Sequence, residues 1–521
     1  MNIPVHQILA QRLDWLADSC PDSPAIIEPE RSIDYGTLSR RVHNLSGHFK
    51  SMGIAAGDRL ALWLPNCIEW LASFLACARL GVTVISVNTR FKSVEVQDMI
   101  QRGKAQWLIY WPGFKGIDFE GILADVKPEV LHSLKGRLTL EDIQKLSTSD
   151  TQAAEPAPDH GAITFTTSGT TSLPKFVLHS QSKLLCHADA VAKAFGYDQS
   201  TRVLASTPFC GTFGFSTMSG ALFTGRPVVC EPVSSSKSLL ELIRRERITH
   251  TYANNSVIQE IMELSSNPED FRYCRLFGFA AFAPALAELF EMAARMGLNL
   301  TGLYGSSELQ ALTAAQPTSQ SQQGDAAYQR EPGGVLVHPE ARVRVRDPES
   351  GKILPLGQSG ELEIKSPSVM LGYLDQPEAT QKAMTEDGYF KTSDLGWCVS
   401  DRQFVFQARM GDSLRLSGFL VNPAEIEQVI ETLPGIAQAQ IVGAMLKGKL
   451  VPVAFVKLDA GAHANPELWT VQCKRVLSGF KVPVHFEVLD EFPTVQSANS
   501  TKIQKNRLRD MAQAILDQMQ A

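Results

Sequence analysis

Apolar positions along this chain switch repeatedly from a helical spacing to a short, continuous β-branched run. The segment WLASFLACARLG is followed by VTVISV, LLELIRRER by ITHTYA, and LAELFEMAARMG by LNLTGLYG. This alternation predicts right-handed strand–helix–strand crossovers and largely parallel sheets covered by helices. Because ligands of such sheets bind beyond the carboxyl ends of the strands, the residues that follow each strand are candidates for a binding site.

The pattern changes near residue 335. The segments VLVHPEARVRVRD, GELEIKSP and FVFQAR alternate apolar and polar residues, which predicts antiparallel strands, and the C-terminal residues return to a mixed pattern. Polar stretches at 146–161 and 316–334 are interpreted as a linker within a domain and an exposed loop. The glycine-bracketed segment RMGDSLRLSGF at 409–419 marks a domain boundary.

Two further segments bear on membrane targeting. The N-terminal residues carry Ile8, Leu9, Leu13 and Leu16 at helical spacing and lack a basic region followed by an apolar run, so an amphipathic helix and no signal peptide are expected. The most apolar window, at 68–87, contains two charged residues and becomes β-branched after a glycine. We expect a helix followed by a buried strand there, with no membrane span.

Composition narrows the class of protein. The length of 521 residues exceeds the roughly 250 to 300 at which single cores stop growing, so at least two domains are expected. A net charge of -6 argues against a nucleic-acid surface. The nine cysteines include no C-x-x-C pair, which favours reduced thiols and a cytoplasmic location.

The segment TFTTSGTTSLPKF at 164–176 is rich in hydroxyl groups. Its hydroxyl donors include Thr166, Thr167, Ser168, Thr170, Thr171 and Ser172. Gly169 lets a ligand approach the backbone, so the loop suits phosphate oxygens. Taken alone, the same composition is also typical of an ordinary surface loop.

Four other segments stand in a fixed order after this loop: YGSSE at 304–308, GYFKTSDLG at 388–396, RMGDSLRLSGFLVNPAEI at 409–426 and NSTKIQKNRLR at 499–509. Together the five motifs resemble the adenylate-forming superfamily of acyl-CoA synthetases, peptide-synthetase adenylation domains and luciferases. The resemblance covers essentially the whole chain. It implies an α/β fold: an N-terminal domain (1–411) of parallel and mixed sheets covered by helices with a β-rich subdomain, and a small mobile α+β domain (412–521).

The resemblance also implies a reaction. ATP activates a carboxylic acid as acyl-AMP with release of pyrophosphate, and the acyl group then passes to CoA, with Mg²⁺ as the metal. The family's phosphate loop corresponds to Thr167, Ser168, Gly169, Thr170, Thr171 and Lys175. Lys175 is the compact charge for the β and γ phosphates. Ser172 replaces a usual glycine, and Phe176 after the lysine distinguishes the segment from a Walker A motif.

In YGSSE, the resemblance assigns Tyr304 to stacking on adenine, Ser307 to the α-phosphate and Glu308 to Mg²⁺. Without that context, Tyr304 is an aromatic residue at a boundary and Glu308 an acid in the first turn of a helix. Asp394 is assigned to the ribose hydroxyls and Arg409 to the same diol. Ser393 stands where the family has glycine, and a turn-forming aspartate is the alternative for Asp394.

The C-terminal signature assigns Lys502 to bridging the substrate carboxylate and the α-phosphate. Lys505 follows on the next turn, and Ser500 replaces a glycine. The alternative for Lys502 is an exposed lysine in a basic segment. Asp412 matches the hinge about which the family's small domain rotates, and Gly418 would then open the path of the CoA thiol.

The acyl-binding segments depart from the family pattern. Gly211 stands at a usual histidine, Phe282 at a glycine that lets ligands pass, and Gly214 where amino-acid-activating relatives place an aspartate. The remaining pocket candidates are Phe209, Phe213, Phe215, Tyr252, Asn254 and Asn255. A fatty, branched or aromatic acid fits apolar walls with one or two amides, although buried aromatic residues equally serve as core.

Two other functions stay open. In the first, the acyl group passes to the phosphopantetheine arm of a carrier protein instead of CoA. In the second, the chain binds nucleotide or acyl-adenylate without turnover, as the departures at Ser172, Gly211, Phe282 and Ser500 would suit. Retention of Lys175, Glu308, Asp394, Arg409 and Lys502 favours an enzyme.

Overall fold

The structure, a computed structural model, describes most of the chain. The described residues are 4–114, 116–145, 157–167, 174–265, 267–280, 286–316, 332–410, 414–416, 419–421, 423–447, 449–477, 479–496 and 501–520. They divide into two compact units. The first comprises Met1–Thr167, Pro174–Arg342 and Lys365–Phe390, and the second includes Val343–Ile364 and Lys391–Ala521.

The elements follow one another in chain order. The N-terminal ones are α1 (Leu9–Ser19), β1 (Pro24–Ile27), β2 (Ser32–Asp34), α2 (Tyr35–Ser51), β3 (Arg59–Trp63), α3 (Ile68–Leu80), β4 (Thr83–Ser86), α4 (Ser93–Gly103), β5 (Trp107–Tyr110), α5 (Phe119–Ala124), α6 (Pro128–His132), β6 (Gly136–Thr139) and α7 (Leu140–Lys145). The middle ones are β7 (Gly161–Thr166), β8 (Phe176–Ser180), α8 (Gln181–Ala194), β9 (Val203–Leu204), α9 (Thr212–Leu222), β10 (Val228–Val229), α10 (Ser236–Arg245), β11 (His250–Asn254), α11 (Asn255–Leu264), β12 (Leu276–Ala280), α12 (Leu286–Arg295), β13 (Leu300–Ser306), β14 (Gln310–Ala315) and β15 (Gly333–Leu336). The C-terminal ones are β16 (Arg342–Arg346), β17 (Gly360–Lys365), β18 (Gly372–Tyr373), α13 (Pro377–Ala383), β19 (Phe390–Cys398), β20 (Gln403–Arg409), β21 (Leu414–Leu416), β22 (Phe419–Val421), α14 (Pro423–Glu431), β23 (Ile436–Leu446), β24 (Lys449–Leu458), α15 (Pro466–Val476), β25 (His485–Val488), β26 (Thr494–Gln496), β27 (Thr501–Ile503) and α16 (Lys505–Gln520). Two 3₁₀ turns lie at Pro268–Phe271 and Gly479–Lys481.

Two sheets form the first unit. One contains neighbouring strands in the order β15-β14-β13-β12-β11-β9-β10-β1-β2, parallel from β13 to β1. The other has the order β18-β8-β7-β4-β3-β5-β6, parallel from β7 to β6. Antiparallel strands β14 and β8 follow the parallel strands β13 and β7, so the chain reverses at the carboxyl end of each.

Helix α3 illustrates why the sequence pattern was informative. All of its thirteen residues are buried, and β4 follows it with four buried residues. An element covered on every side has no polar face, so its sequence is mostly apolar, and its two charged residues, Glu69 and Arg79, form ion pairs with Arg31 and Asp14. The expected helix and buried strand at 68–87 are therefore confirmed. Over the described residues, no helix combines the length and hydrophobicity that crossing a membrane requires.

The described residues of the second unit form sheets of few strands and the three helices α14, α15 and α16. Strands β16-β17-β19-β20 are neighbours in sheet order, and β19 pairs with β20 in antiparallel fashion, as the alternating pattern predicts. Strands β23, β24 and β25 form a separate sheet. Trp469 of α15 packs in a core with Ile426 of α14, while Leu508 of α16 packs in another with Phe455. The sheet is thus covered on both sides by helices, and the α/β fold class is confirmed.

The predicted domain boundary between residues 411 and 412 stays a prediction, because residues 411–413 lie outside the described residues. Most of the predicted linker at 146–161 and most of the predicted loop at 316–334 also lie outside the described residues, so both stay predictions.

Candidate active site

The phosphate-loop segment begins where β7 ends and finishes where β8 starts. The N–H of Thr167 donates to the carbonyl oxygen of Lys175, and the N–H of Lys175 donates to Thr167 Oγ1. Both donor–acceptor distances are 3.0 Å. These two bonds close the base of the hairpin and place Lys175 at the carboxyl end of the parallel strand β7. Of the predicted loop residues, Ser168, Gly169, Thr170, Thr171 and Ser172 lie outside the described residues.

The YGSSE motif forms the turn from β13 to β14 in the same unit. Ser307 Oγ lies 3.3 Å from the carbonyl oxygen of Thr166, the last residue of β7, and 3.4 Å from Thr212 Oγ1. Ser307 and the base of the phosphate loop are therefore neighbours, as expected for two segments that each follow the carboxyl end of a parallel strand. Tyr304 is half-buried and lies opposite Ala314 in the hairpin.

The backbone after this motif takes a sparsely populated conformation. Gln310 and Leu312 both have positive φ angles, 65° and 64°, which non-glycine residues rarely adopt. The side-chain amide of Gln310 donates to the carbonyls of Lys183 and Ser368, at 3.2 Å and 3.1 Å. Strain of this kind persists where surrounding contacts determine the backbone, and it is concentrated at functional sites.

Two buried histidines, which the sequence analysis did not single out, also hold this segment. His179 Nε2 lies 2.8 Å from the carbonyl oxygen of Ser307, and His187 Nε2 lies 2.6 Å from that of Ala311. Burial lowers the pKa of each imidazole to about 4. Both rings are therefore neutral at pH 7, with the proton on Nε2 donated to the carbonyl.

Tyr373 is a further residue that the sequence analysis missed. Its hydroxyl donates to Glu308 Oε1 at 2.9 Å, and the ammonium of Lys175 lies 4.5 Å from the centre of its ring. The phenol thus contacts two predicted nucleotide-binding side chains. The sequence offers little signal for it, because a Gly-Tyr pair before a turn is common and its partners are distant along the chain.

The residues present fit a magnesium ion that arrives with its nucleotide. Glu308 is half-buried and offers one carboxylate, and no group of three or more His, Cys, Asp or Glu side chains suitable for a metal occurs among the described residues. Mg²⁺ typically takes one or two carboxylates and completes its shell with phosphate oxygens and water. A closed protein cage is therefore not required.

In the second unit, the predicted ribose-binding pair is brought together. Asp394 and Arg409 are direct partners in the β19–β20 ladder, and Arg409 Nη1 lies 3.0 Å from Asp394 Oδ1. Arg409 also donates to the carbonyl of Thr392 at 2.9 Å. The carboxylate is 4% exposed, whereas the guanidinium is 52% exposed. The pair is preformed, and its role toward ribose stays a prediction.

Ser393 has a φ of 56°, the left-handed conformation that explains the glycine usual at this position. We expect Ser393→Gly to raise the free energy of unfolding by about 0.5–1 kcal/mol, because the Cβ clash is removed. Chemical denaturation measures the change. Lys391→Gly, in the same strand at a residue without positive φ, is the control and should destabilise the protein by a similar amount. Destabilisation by both changes would contradict the expected relief of strain.

The C-terminal signature is described only in part. Lys502 lies in β27 opposite Val495, and its side chain is outside the described residues, as are Ser500, Asp412 and Gly418. Lys505 Nζ lies 3.0 Å from Glu427 Oε1, which also accepts the N–H of Ile441. Lys505 therefore joins α16 to α14 and β23.

Several predicted acyl-pocket residues have structural contacts. Phe209 and Phe215 are fully buried beside Trp70, with ring centres 5.5 Å and 6.2 Å away. The hydroxyl of Tyr252, also fully buried, lies 2.8 Å from that of Tyr197. Asn254 caps α11 by accepting a hydrogen bond from the N–H of Val257, and Asn255 is the first residue of that helix. Gly211 directly precedes α9, and Phe213 within α9 is 7% exposed. Phe282 lies outside the described residues. Their assignment to the pocket stays a prediction.

Gly214 marks a close approach of backbones. A Cβ on this residue would lie 2.2 Å from the carbonyl oxygen of Pro208 and 2.4 Å from that of Thr207. A Cβ atom essentially never makes non-bonded contacts this short, so α9 packs in this way against the preceding loop only if this residue is glycine. An aspartate cannot be accommodated here without movement of the backbone.

We therefore expect Gly214→Ala to lower the free energy of unfolding by about 2–3 kcal/mol through overpacking. Gly113→Ala is the matched control, since its added Cβ would meet only Trp111 Nε1 at 3.9 Å. Chemical denaturation of the two variants measures the difference. Equal stability of both would show that α9 shifts freely to admit a side chain.

Comparison with known proteins agrees with this arrangement. A family model described as AMP-binding enzyme matches residues 13–374, and one described as AMP-binding enzyme C-terminal domain matches residues 425–499. The chain belongs to the AMP-binding enzyme family. Members of this family that act as acyl-CoA synthetases adenylate a carboxylic acid with ATP and then form a CoA thioester. The chain is such an AMP-forming acid–CoA ligase, and its reactants are ATP, a carboxylic acid and CoA.

Individual relatives of this AMP-binding enzyme have similar lengths. The chain is 26% identical over 559 residues to a mitochondrial medium-chain acyl-CoA ligase of Bos taurus, and the match covers 98% of this chain and 88% of the relative. It is 27% identical over 511 residues to a 3-hydroxybenzoate–CoA ligase of Aromatoleum sp. (strain CIB), covering 96% and 95%. The crystal structure of ATP-bound MatB from Rhodopseudomonas palustris superimposes with a TM-score of 0.84 at 25% identity, covering 97% and 99%.

Proposed function

We propose that the chain adenylates a fatty, branched or aromatic carboxylic acid, with Lys175, Ser307 and Glu308 as the groups that face the phosphates. One observation carries this proposal: three distant segments converge where β7 and β13 end. Ser307 Oγ is 3.3 Å from the carbonyl of Thr166, while Tyr373 contacts both Lys175 and Glu308. A cation, a hydroxyl and a carboxylate are thus held by one framework, which suits a nucleoside triphosphate.

The chemistry assigns a task to each group. A carboxylate oxygen attacks the α-phosphorus, the bond from that phosphorus to the β-phosphate oxygen breaks, and pyrophosphate leaves. Lys175 offers positive charge to the departing phosphates, and the Ser307 hydroxyl donates to an α-phosphate oxygen. Glu308 would hold Mg²⁺, which when bound neutralises phosphate charge. The CoA thiol then attacks the acyl carbonyl and AMP leaves.

The remaining assignments belong to the second unit or to residues outside those described. We propose Asp394 and Arg409 for the ribose and Lys502 for the approach of the carboxylate. The preformed contact at 3.0 Å between Asp394 and Arg409 supports the first of these. The boundary between residues 411 and 412, the hinge at Asp412 and the CoA path at Gly418 rest on the motif. Tyr304 is proposed to stack on adenine.

The choice of acid is supported by the packing of Gly214. An ammonium clamp at this residue would need an acidic side chain, for which the backbone of Pro208 leaves no room. Two relatives are named for a medium-chain acid and for 3-hydroxybenzoate, neither of which carries an ammonium group. An α-amino acid is therefore the least favoured substrate.

We also propose a cytoplasmic location. All nine cysteines are free thiols, six of them buried, which supports a reducing compartment. Fractionation of cells followed by immunodetection tests the proposal, and recovery of the protein within a membrane-bound compartment would contradict it.

The experiment is acid-dependent exchange of pyrophosphate into ATP with a panel of medium-chain, branched, aromatic and amino acids. We expect exchange with at least one acid that lacks an ammonium group, and thioester formation when CoA is added. Exchange with amino acids alone would contradict the substrate class. Transfer to a phosphopantetheinylated carrier protein but not to CoA would change the acceptor. Binding of ATP without exchange for any acid would favour a non-catalytic protein.

A further inference from the structure

Tyr373 lies where the two predicted nucleotide-binding segments meet. It is 7% exposed and occupies β18, opposite Val177 of β8. Its N–H donates to Thr380 Oγ1 at 2.9 Å, and the next residue, Leu374, donates to the carbonyl of Phe176 at 2.8 Å. The backbone on both sides of the ring is therefore fixed, and the ring has a defined direction.

The ring makes a different contact at each of its two parts. The ammonium of Lys175 lies 4.5 Å from its centroid, so that the positive charge faces the negative face of the aromatic system. The hydroxyl at the ring's edge donates to Glu308 Oε1 at 2.9 Å. The N–H of Met370, three residues before Tyr373, also donates to the carbonyl of Glu308, at 2.8 Å. One short segment thus holds both the backbone and the side chain of Glu308.

The phenol also separates opposite charges. Among the described residues, neither Lys175 nor Glu308 has an ion-pair partner within 4.0 Å. A lysine and a glutamate that contact the same side chain would attract one another if they met directly, and would then neutralise the two charges that a nucleotide and its metal require. The neutral Tyr373 side chain contacts the Lys175 ammonium and the Glu308 carboxylate without neutralising either charge, so both charges stay available to a ligand.

We propose that Tyr373 is a positioning residue, which keeps the phosphate-binding Lys175 and the metal-binding Glu308 apart and aims each at its own part of Mg·ATP. The inference rests on the proposed nucleotide roles of those two side chains. The hydroxyl and the aromatic ring of Tyr373 have different roles, which can be tested separately. The hydroxyl acts on Glu308 and therefore on Mg²⁺, whereas the ring acts on Lys175 and therefore on phosphate.

The test is calorimetric titration of the full chain with ATP and no acid, once in excess Mg²⁺ and once in EDTA. We expect Mg²⁺ to tighten binding to the wild type. Tyr373→Phe keeps the ring, so affinity in EDTA should be unchanged while the gain from Mg²⁺ falls about fivefold to tenfold. Tyr373→Leu removes the ring as well, so affinity should also fall about fivefold in EDTA.

The chain offers a matched control. Lys365 Nζ lies 5.9 Å from the ring centre of Tyr389 in the same unit, so Tyr389→Phe and Tyr389→Leu repeat both changes at another lysine–tyrosine pair. These variants should bind ATP as the wild type does. A Tyr373→Phe variant with the full gain from Mg²⁺, or equal losses at both tyrosines, would refute the positioning role. The Phe variant decides the question even if the Leu variant fails to fold. A wild type that binds no ATP would refute the nucleotide site itself.

Discussion

Replacing Glu308 by glutamine is expected to lower the rate of acid-dependent pyrophosphate exchange by about 100-fold at limiting Mg²⁺. The change removes one negative charge and keeps the size of the side chain. The amide oxygen of the glutamine can still accept a hydrogen bond from the Tyr373 hydroxyl, which in the wild type donates to Glu308 Oε1 at 2.9 Å. The loss should therefore reflect the missing charge and not a displaced turn. Exchange measured across a series of Mg²⁺ concentrations should show partial recovery at high metal.

A suitable control is Glu378→Gln. Glu378 lies in the first turn of α13 and is exposed, five residues after Tyr373 in the chain. It loses the same charge at a position that no proposed role involves, and its exchange should match the wild type at every Mg²⁺ concentration. If Glu308→Gln behaved in the same way as this control, Glu308 would not be the metal ligand.

The sequence predicted this part of the site because its residues follow strands. Lys175 and Ser307 belong to motifs that come directly after the apolar runs of β7 and β13, and both runs are parallel strands with a reversal at the carboxyl end. A motif supplies residue identity, and the strand pattern supplies position. Together they predicted that the two strand ends would lie side by side, which agrees with the 3.3 Å separation between Ser307 Oγ and the carbonyl oxygen of Thr166.

The supporting residues could not be predicted in this way. His179, His187 and Tyr373 act on carbonyls or on charged groups that are far away in the chain. In the sequence, a buried histidine or tyrosine has the same apolar neighbours whether it fills the core or holds a motif. Phe209 shows the same ambiguity, because its ring packs against Trp70 and this contact is equally compatible with a core residue and with a wall of the predicted acyl pocket.

Ser393 illustrates a third kind of limit. Sequence comparison with the family pattern marked it as a departure from glycine, but the backbone conformation decides what that departure means. The φ of 56° is accessible to serine at a modest cost, so the turn before Asp394 is preserved. The N–H of Ser393 still donates to Glu361 Oε1 at 3.1 Å. A departure of this type affects stability and leaves the positions of Asp394 and Arg409 intact.

Lys502→Ala is expected to lower pyrophosphate exchange by about 100-fold or more, because adenylation brings an anionic carboxylate against a polyphosphate and depends on positive charge. Thioester formation from a synthetic acyl-adenylate and CoA should be largely retained, since the anhydride is already formed. The two half-reactions are measured separately with the same enzyme preparation. A selective loss of the first assigns the charge of Lys502 to adenylation.

Lys505→Ala is the matched control for that experiment. It removes an identical charge three residues later, but its ammonium lies 3.0 Å from the buried carboxylate of Glu427 and joins α16 to α14. Its loss should lower the free energy of unfolding, since Glu427 would keep a buried charge without its partner, and should leave both half-reactions near the wild-type rate. Full exchange by Lys502→Ala, or an equal loss in both variants, would mean that the signature supplies general positive charge or structural support and not a lysine dedicated to the carboxylate.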